Sequence, residues 1–217
     1  MNLNEFDVAM ENMLINQKDY VQNFDKWKPG PHNILYVTGF SGSGKSTLTQ
    51  EYAKKYNAIP IELDMFEYGE DFSGIGIVQK CKDAIPEYKE AVDSKWKNPD
   101  GSRIDHDTVI KISHKAAKYA LNLCKNDSDR LYIVEGLQLF LFTRYDPKMF
   151  ISEPLIIKGT SALVSEFRSI KRAFKLNEKR KNKKRKIDIV KGHLKSHLPM
   201  NVKHDKILKS FKENIRS

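Results

Sequence analysis

Short apolar runs alternate with helix-spaced apolar positions along most of this chain. Residues 34–38, 58–63, 131–134 and 155–157 are mainly apolar runs, which is typical of strands buried on both faces. Residues 46–56 and 108–125 place apolar side chains three and four positions apart, which predicts helices. The alternation predicts an α/β fold with three α/β/α layers and a mostly parallel sheet.

The N-terminal residues carry a separate apolar pattern. Six large apolar side chains recur there at steps of three and four, or their sums: Phe6, Met10, Met13, Tyr20, Phe24 and Trp27. This spacing predicts a helix over residues 4–28 that packs on the core or on a partner chain. The Pro-Gly-Pro at 29–31 ends it, so we divide the chain into an N-terminal helix, 1–31, and a main domain, 32–217.

Two segments of the main domain differ from the alternating pattern. Residues 65–106 begin with a loop-like aromatic stretch, continue as a helix interrupted near Pro86, and end in polar residues. We expect this segment to be an insertion on the substrate side. Residues 163–190 begin with helical spacing and become strongly basic, which indicates a basic helical lid.

The segment after the first strand matches the P-loop pattern G-x-x-x-x-G-K-[ST] in full with Gly39, Phe40, Ser41, Gly42, Ser43, Gly44, Lys45 and Ser46, and Thr47 follows it. Its glycines let backbone N–H groups turn toward phosphate oxygens, and the helix that follows adds its positive end. We expect Lys45 to neutralise the β- and γ-phosphates of ATP and Ser46 to hold Mg²⁺. Switches, motors and kinases share the motif, so it predicts phosphate binding and leaves the reaction open.

Carboxylates follow two of the other strands. Gly39, Asp64, Glu135 and Thr160 all come at predicted strand ends, and ligands of parallel sheets bind at that edge. Asp64 is suited to take the proton of an attacking hydroxyl or to hold Mg²⁺, although a loop or helix-capping aspartate is the alternative. Glu135 is suited to orient the Mg²⁺ hydration shell, and a buried or ion-paired acid is its alternative.

The chain has no Asn-Lys-x-Asp guanine-recognition motif, which disfavours a GTPase. It resembles the uridine kinase and nucleoside or nucleotide kinase group of P-loop kinases, and more loosely zeta-toxin-like phosphotransferases. The resemblance covers roughly residues 34 to 175. It is carried by the P-loop and by three shorter features: Leu63-Asp64-Met65-Phe66-Glu67-Tyr68, Ile133-Val134-Glu135-Gly136, and the pair Arg168 and Arg172.

The resemblance implies an ATP-dependent kinase that transfers the γ-phosphate to a hydroxyl or phosphate of a small molecule, most plausibly a nucleoside or nucleotide. Asp64 is then the base or a metal ligand, and Arg168 and Arg172, four residues apart on one helix face, close the site. Two alternatives remain open: a kinase that acts on a polynucleotide, and a nucleotide-binding regulatory protein without catalysis.

Charge bears on the polynucleotide alternative. The whole chain has a formal net charge of +10. Residues 163–217 contain 18 Lys and Arg against 5 Asp and Glu, so the positive excess lies in this segment. The densest run lies between Lys179 and Lys186, where seven of eight residues are basic. A solvated, flexible segment is the commonest explanation, and contact with nucleic-acid phosphates is the alternative.

The remaining composition points to a cytoplasmic protein with reduced thiols. No run approaches the ~20 apolar residues of a membrane span, and the N-terminal residues lack a signal-peptide pattern. The two cysteines, Cys81 and Cys124, lack partners at metal-ligand spacing and are expected to be buried thiols. The sequence leaves the oligomeric state open.

Overall fold

The structure, a computed structural model, describes residues 19–30, 32–39, 41–142, 152–160, 162–179 and 184–199, with three isolated positions beyond them. Five strands lie in one sheet in the order β1-β5-β2-β4-β3. They are β1, Tyr20–Gln22; β2, Ile34–Gly39; β3, Ile59–Glu62; β4, Tyr132–Glu135; and β5, Leu155–Lys158. Strand β4 pairs in parallel with both β2 and β3. The fold is α/β with a mostly parallel sheet flanked by helices, as the sequence predicts at this level.

Most helices lie where the sequence predicts them, but residues 64–68, which include part of the predicted loop, and residues 138–142, for which no helix was predicted, are also helical. The helices are α1, Lys45–Tyr56; α2, Asp64–Tyr68; α3, Ile77–Ala84; α4, Pro86–Asp93; α5, His106–Asn126; α6, Gln138–Phe142; α7, Ala162–Glu178; and α8, Lys186–Gly192, followed by a π-helical turn, His193–His197. The predicted break near Pro86 is present: Ile85 is extended and Pro86 begins α4. Proline favours this first helical position because its missing N–H would have no partner there.

The described chain divides into two compact units. One, which we call the core unit, comprises Val21–Thr38 and Ser46–Ile156. The other, which we call the loop unit, comprises Gly39–Lys45, Ile157–Ser217 and the chain up to Tyr20, insofar as these are described. We treat the two units separately below.

Apolar burial organises the core unit around its central strands. Leu35, Val37 and Ile133 are almost completely buried and pack with Trp27. Tyr56 of α1 meets the Trp27 ring edge-on at a centroid distance of 4.8 Å. Each fully buried aliphatic side chain contributes about 1.5–3 kcal/mol relative to an exposed one, so this cluster is a main source of stability.

A buried asparagine joins the start of β2 to the end of α5. Asn33 is 1% exposed, and its Nδ2 donates to the carbonyl oxygens of Cys124 and Asp127, each at 2.8 Å, and of Arg130 at 3.2 Å. The last carbonyls of a helix lack partners within the helix. Asn33 supplies a partner there and fixes where β2 begins.

The described part of the predicted N-terminal helix has a different structure. Tyr20–Gln22 is a strand, and Phe24–Lys26 is a 3-10 turn, so the helix prediction is wrong for these residues. Asn23 between them is in the left-handed region, at φ 52°, which interrupts a right-handed helix. Phe24 and Trp27 nevertheless face the aromatic rings of α1. Residues 1–18 lie outside the described part.

Within the described residues, no helix combines the length and apolar character that crossing a membrane requires.

Candidate functional site

The glycine-rich loop of the loop unit has a backbone that only glycine adopts readily. Gly42 has φ +83° and Gly44 has φ +91°, both in the left-handed region. A β-carbon on Gly42 would stand 2.8 Å from the carbonyl oxygen of Ser165, so Gly42 also permits a close approach to α7. A β-carbon on Gly44 would meet only Cε of Lys158, at 3.9 Å. Phe40 lies outside the described residues.

Helix α7 binds the carbonyl side of this loop. Ser165 Oγ donates to the carbonyl of Ser41, and Arg168 Nη1 donates to the carbonyl of Gly42 at 2.8 Å. In a trans peptide the N–H points opposite to the C=O, and the described chain has no cis peptide. The N–H groups of Gly42 and Ser43 therefore point away from α7.

Ser43 is a buried residue of the loop. It is 3% exposed, and its Oγ has no hydrogen-bond partner among the described residues. Most buried hydroxyl groups have a hydrogen-bond partner, so a buried hydroxyl without one is a candidate to bind a ligand. Lys45, the first residue of α1, is half-buried.

The core unit brings together two residues that the sequence assigns to Mg²⁺. Ser46 Oγ donates to Glu135 Oε1 at 2.9 Å, across 89 positions of sequence. Glu135 is 4% exposed and ends β4. The register pairs it with Val37 of β2 and Glu62 of β3, so it lies at the carboxyl edge of all three strands. The contact between Ser46 and Glu135 agrees with the shared role that the sequence predicts, while the metal itself stays a prediction.

Asp64 belongs to a three-residue polar cluster in the core unit. It is exposed, begins α2, and accepts a hydrogen bond from Gln138 Nε2. The same nitrogen donates to Glu67 Oε1 at 3.0 Å. Burial, opposed by this hydrogen bond and reinforced by the charge of Asp64, raises the pKa of Glu67. The side-chain amide oxygen of Gln138, Oε1, is buried and has no hydrogen-bond partner among the described residues.

The segment 65–106 holds this cluster in place. Trp96 Nε1 donates to the backbone oxygen of Glu67 at 2.5 Å. Lys95 and Trp96 are consecutive non-glycine residues at φ 55° and 57°, a conformation that costs roughly 1–2 kcal/mol per residue. The surrounding contacts, including the indole bond to α2, maintain this strained turn. A cavity of about 420 Å³ also lies in this segment, and its lining includes Glu87, Lys97 and Ile112.

The other predicted residues have simpler surroundings. Thr47 is exposed on α1, and Arg172 is exposed on α7, one turn beyond Arg168. Arg168 contacts the loop backbone, as described above. Of the run between Lys179 and Lys186, residues 180–183 lie outside the described part. Asn177 hydrogen-bonds both the backbone N–H and the carbonyl of Lys184, which fixes the chain where the description resumes.

Sequence reasoning missed Glu67, Gln138 and Lys158 as residues around the candidate site. Glu67 and Gln138 belong to no spacing pattern, and Gln138 comes only three residues after Glu135. Their relation to Asp64 arises from a contact 74 positions apart in sequence. The sequence offered one signal for Gln138: it is a polar residue that comes shortly after the end of a predicted strand.

No protein-family model matches the chain, and a search of curated proteins finds no match. The chemistry of the site is therefore inferred from its own residues.

Proposed function

We propose that this chain is a P-loop phosphotransferase that uses Mg²⁺ and ATP to phosphorylate a hydroxyl group of a small molecule. The observation that carries the proposal is the 2.9 Å hydrogen bond between Ser46 and Glu135. A P-loop serine and a carboxylate at the end of a neighbouring strand are the pair that such enzymes need around the metal. The P-loop motif in the sequence adds the expected phosphate-binding segment.

The donor set at Ser46 and Glu135 fits magnesium. Mg²⁺ prefers oxygen ligands and keeps several waters, so one or two protein oxygens and the substrate phosphates complete its shell. A hydroxyl and a carboxylate oxygen, already adjacent, meet that requirement. When bound, the ion would neutralise charge on the β- and γ-phosphate oxygens during transfer.

The loop unit supplies donors for the phosphates themselves. The N–H groups of Gly42 and Ser43 are directed away from α7, and Ser43 Oγ lacks a partner among the described residues. Phosphate oxygens would satisfy these donors, as backbone N–H groups do in anion-binding loops. Lys45 adds a positive charge at the start of α1. The proposed role of Arg168 is to hold the loop backbone, while Arg172 remains the exposed lid candidate.

The acidic cluster favours a hydroxyl acceptor over a phosphate acceptor. Asp64 and Glu67 share one donor, Gln138 Nε2, and both carboxylates disfavour a nearby phosphate monoester. In the proposed step, the acceptor oxygen forms a bond to the γ-phosphorus as the bond from that phosphorus to the β,γ-bridging oxygen breaks. Asp64 takes the acceptor proton, and ADP leaves.

Nucleotide binding is the first test. By calorimetry with Mg²⁺ and ATP, we expect Lys45→Ala to weaken binding by about tenfold or more, since a charge-assisted contact contributes ~1.5–3 kcal/mol. Lys54→Ala, an exposed lysine of the same helix, is the matched control and should bind as the wild type does. We expect Ser46→Ala to lose most of the gain that Mg²⁺ confers on ATP binding. Equal affinities in wild type and Lys45→Ala would contradict the proposal.

Transfer of ³²P from ATP tests the acceptor class. Nucleosides, nucleoside monophosphates and an oligonucleotide serve as candidate acceptors. We expect product with an uncharged hydroxyl acceptor, and we expect Asp64→Asn to abolish it while ATP still binds. Product only with the oligonucleotide would favour the polynucleotide alternative. ATP binding without transfer to any acceptor would favour the regulatory alternative.

A further inference from the structure

A second lysine lies along the glycine-rich loop, and the motif does not include it. Lys158 is the last residue of β5. Its Cβ would lie 3.2 Å from a β-carbon on Gly39, and its Cε would lie 3.9 Å from one on Gly44. The side chain therefore runs from the first glycine of the loop to the last. Its ammonium group is one bond beyond Cε.

This ammonium is held by a carboxylate from a distant part of the sequence. Lys158 Nζ lies 2.6 Å from Asp19 Oδ2, and the backbone N–H of Gly159 donates to Asp19 Oδ1 at 2.7 Å. The Lys158 and Asp19 side chains are 30% and 29% exposed, so solvent reaches both. A solvent-accessible ion pair of this kind is weak, so a competing anion can displace it.

Phosphate is a stronger partner for this lysine than a single carboxylate. A nucleoside triphosphate carries several negative charges, and the backbone N–H groups of the glycine-rich loop would hold its phosphates beside Lys158. In the same place the Asp19 carboxylate repels phosphate oxygens, because like charges near a protein surface repel each other. Lys158 therefore attracts phosphate, while Asp19, its ion-pair partner, repels phosphate at the same place.

We propose that Lys158 is a second phosphate-contacting lysine and that Asp19 restrains it, so that nucleotide phosphates and Asp19 compete for one ammonium group. This inference rests on the proposed nucleotide binding and adds its regulation. Asp19 lies in the N-terminal part of the chain. Whatever draws that part away from β5 would free Lys158 and tighten nucleotide binding.

Calorimetric titration with ATP and with inorganic pyrophosphate, on the full chain, tests the competition. We expect Asp19→Asn to bind both ligands about fivefold more tightly than the wild type. We expect Lys158→Gln to bind both more weakly by a similar factor, and Lys158→Arg, which keeps the charge, to restore most of the affinity. In an Asp19→Asn background, Lys158→Gln should cause a larger loss than in the wild type. Asp25→Asn and Lys54→Gln, both at exposed positions, are the matched controls and should change nothing.

A merely structural ion pair would behave differently. If Asp19 only fastens the chain to β5, then Asp19→Asn lowers the melting temperature and leaves the affinity unchanged or weaker, which overturns the inference. Unchanged affinity in both Asp19→Asn and Lys158→Gln, with ATP binding intact in the wild type, overturns it as well and spares the proposed function. Absence of ATP and pyrophosphate binding in the wild type would instead refute the proposed function, and this inference with it.

Discussion

Two carboxylates at the start of α2 share one amide nitrogen, and only one of them is substantially buried. Asp64 is exposed, whereas Glu67 is half-buried between Gln138 and its own helix. Burial is the largest influence on Glu67 and disfavours its ionised form. Glu67 therefore carries its charge at a cost to the folded state.

Stability should respond to pH through Glu67. Its pKa is raised in the folded chain, so the folded state binds the proton more tightly than the unfolded state does. The contribution of Glu67 is then most favourable below its ordinary pKa and declines as pH rises through the folded value. We expect Glu67→Gln to be more stable than the wild type at pH 7 in urea unfolding. We also expect the difference to vanish below about pH 4.

Glu51→Gln, an exposed acid on α1, is the control for that experiment and should show no such crossover. A stability difference for Glu67→Gln that is the same at pH 4 and pH 7 would contradict the burial argument.

At the residue scale, sequence reasoning found the groups that follow strands directly. Ser46, Asp64 and Glu135 were predictable because a loop motif and apolar runs mark where each strand ends. The contacts of Gln138 with Asp64 and of Lys158 with Asp19 could not be predicted from the sequence. Which long-range partner a polar side chain meets depends on sheet order and on the exact register, and neither is encoded in local spacing.

Helix α2 is a short element whose position depends on a single glycine. Gly69 ends it in the left-handed region at φ +69°, and its N–H donates to the carbonyl of Met65 at 2.8 Å. A β-carbon at Gly69 would stand 2.0 Å from Val92 Cγ1 of α4. Alanine there would have to push α2 and α4 apart.

We expect Gly69→Ala to lower the free energy of unfolding by about 2–5 kcal/mol. Roughly 1–2 kcal/mol comes from the left-handed backbone and ~1–3 kcal/mol from overpacking. Gly74→Ala is the matched control, since Gly74 has φ +74° and no atom of the described residues lies within 4 Å of the new β-carbon. Gly74→Ala should lower the free energy of unfolding only by the roughly 1–2 kcal/mol that comes from the left-handed backbone. Chemical denaturation of both variants gives the comparison, and equal losses would show that the contact with Val92 is unimportant.

Elements marked by a continuous apolar run or by several helical turns of periodic pattern were predictable from sequence, and elements without such a mark were not. The strands β2, β3, β4 and β5 and the helices α1, α5 and α7 lie within a few residues of their predicted positions. Strand β1 has three residues and α6 has five, too few for any hydrophobic period to show. At β1 the three-four spacing favoured a helix, but pairing at the sheet edge and the left-handed Asn23 determine the structure.

At the scale of the molecule, two thiols serve as reporters of opening in the core unit. Cys81 and Cys124 are 0% and 2% exposed and unpaired with each other, as expected from the sequence. Burial raises the pKa of each thiol to about 12. Only the thiolate reacts readily, so both thiols should be inert while the unit is closed.

We expect neither cysteine to react rapidly with a disulfide reagent at pH 8 in the native chain, and both to react at once in concentrated urea. Adding sub-denaturing urea should accelerate labelling as unfolding becomes accessible. Cys81→Ser and Cys124→Ser separate the two sites. Rapid labelling of either thiol in the native chain, without urea, would contradict its burial.

The loop unit is assembled from residues far apart in the chain, and this bears on how the protein is made. The carbonyls of Ser41 and Gly42 receive their hydrogen bonds from residues 124 and 126 positions later. A ribosome adds ~5–20 residues per second, so the glycine-rich segment leaves it several seconds before its partners exist. The core unit can close around its own strands meanwhile. The nascent chain thus acquires the shape of its glycine-rich loop only after α7 has been synthesised.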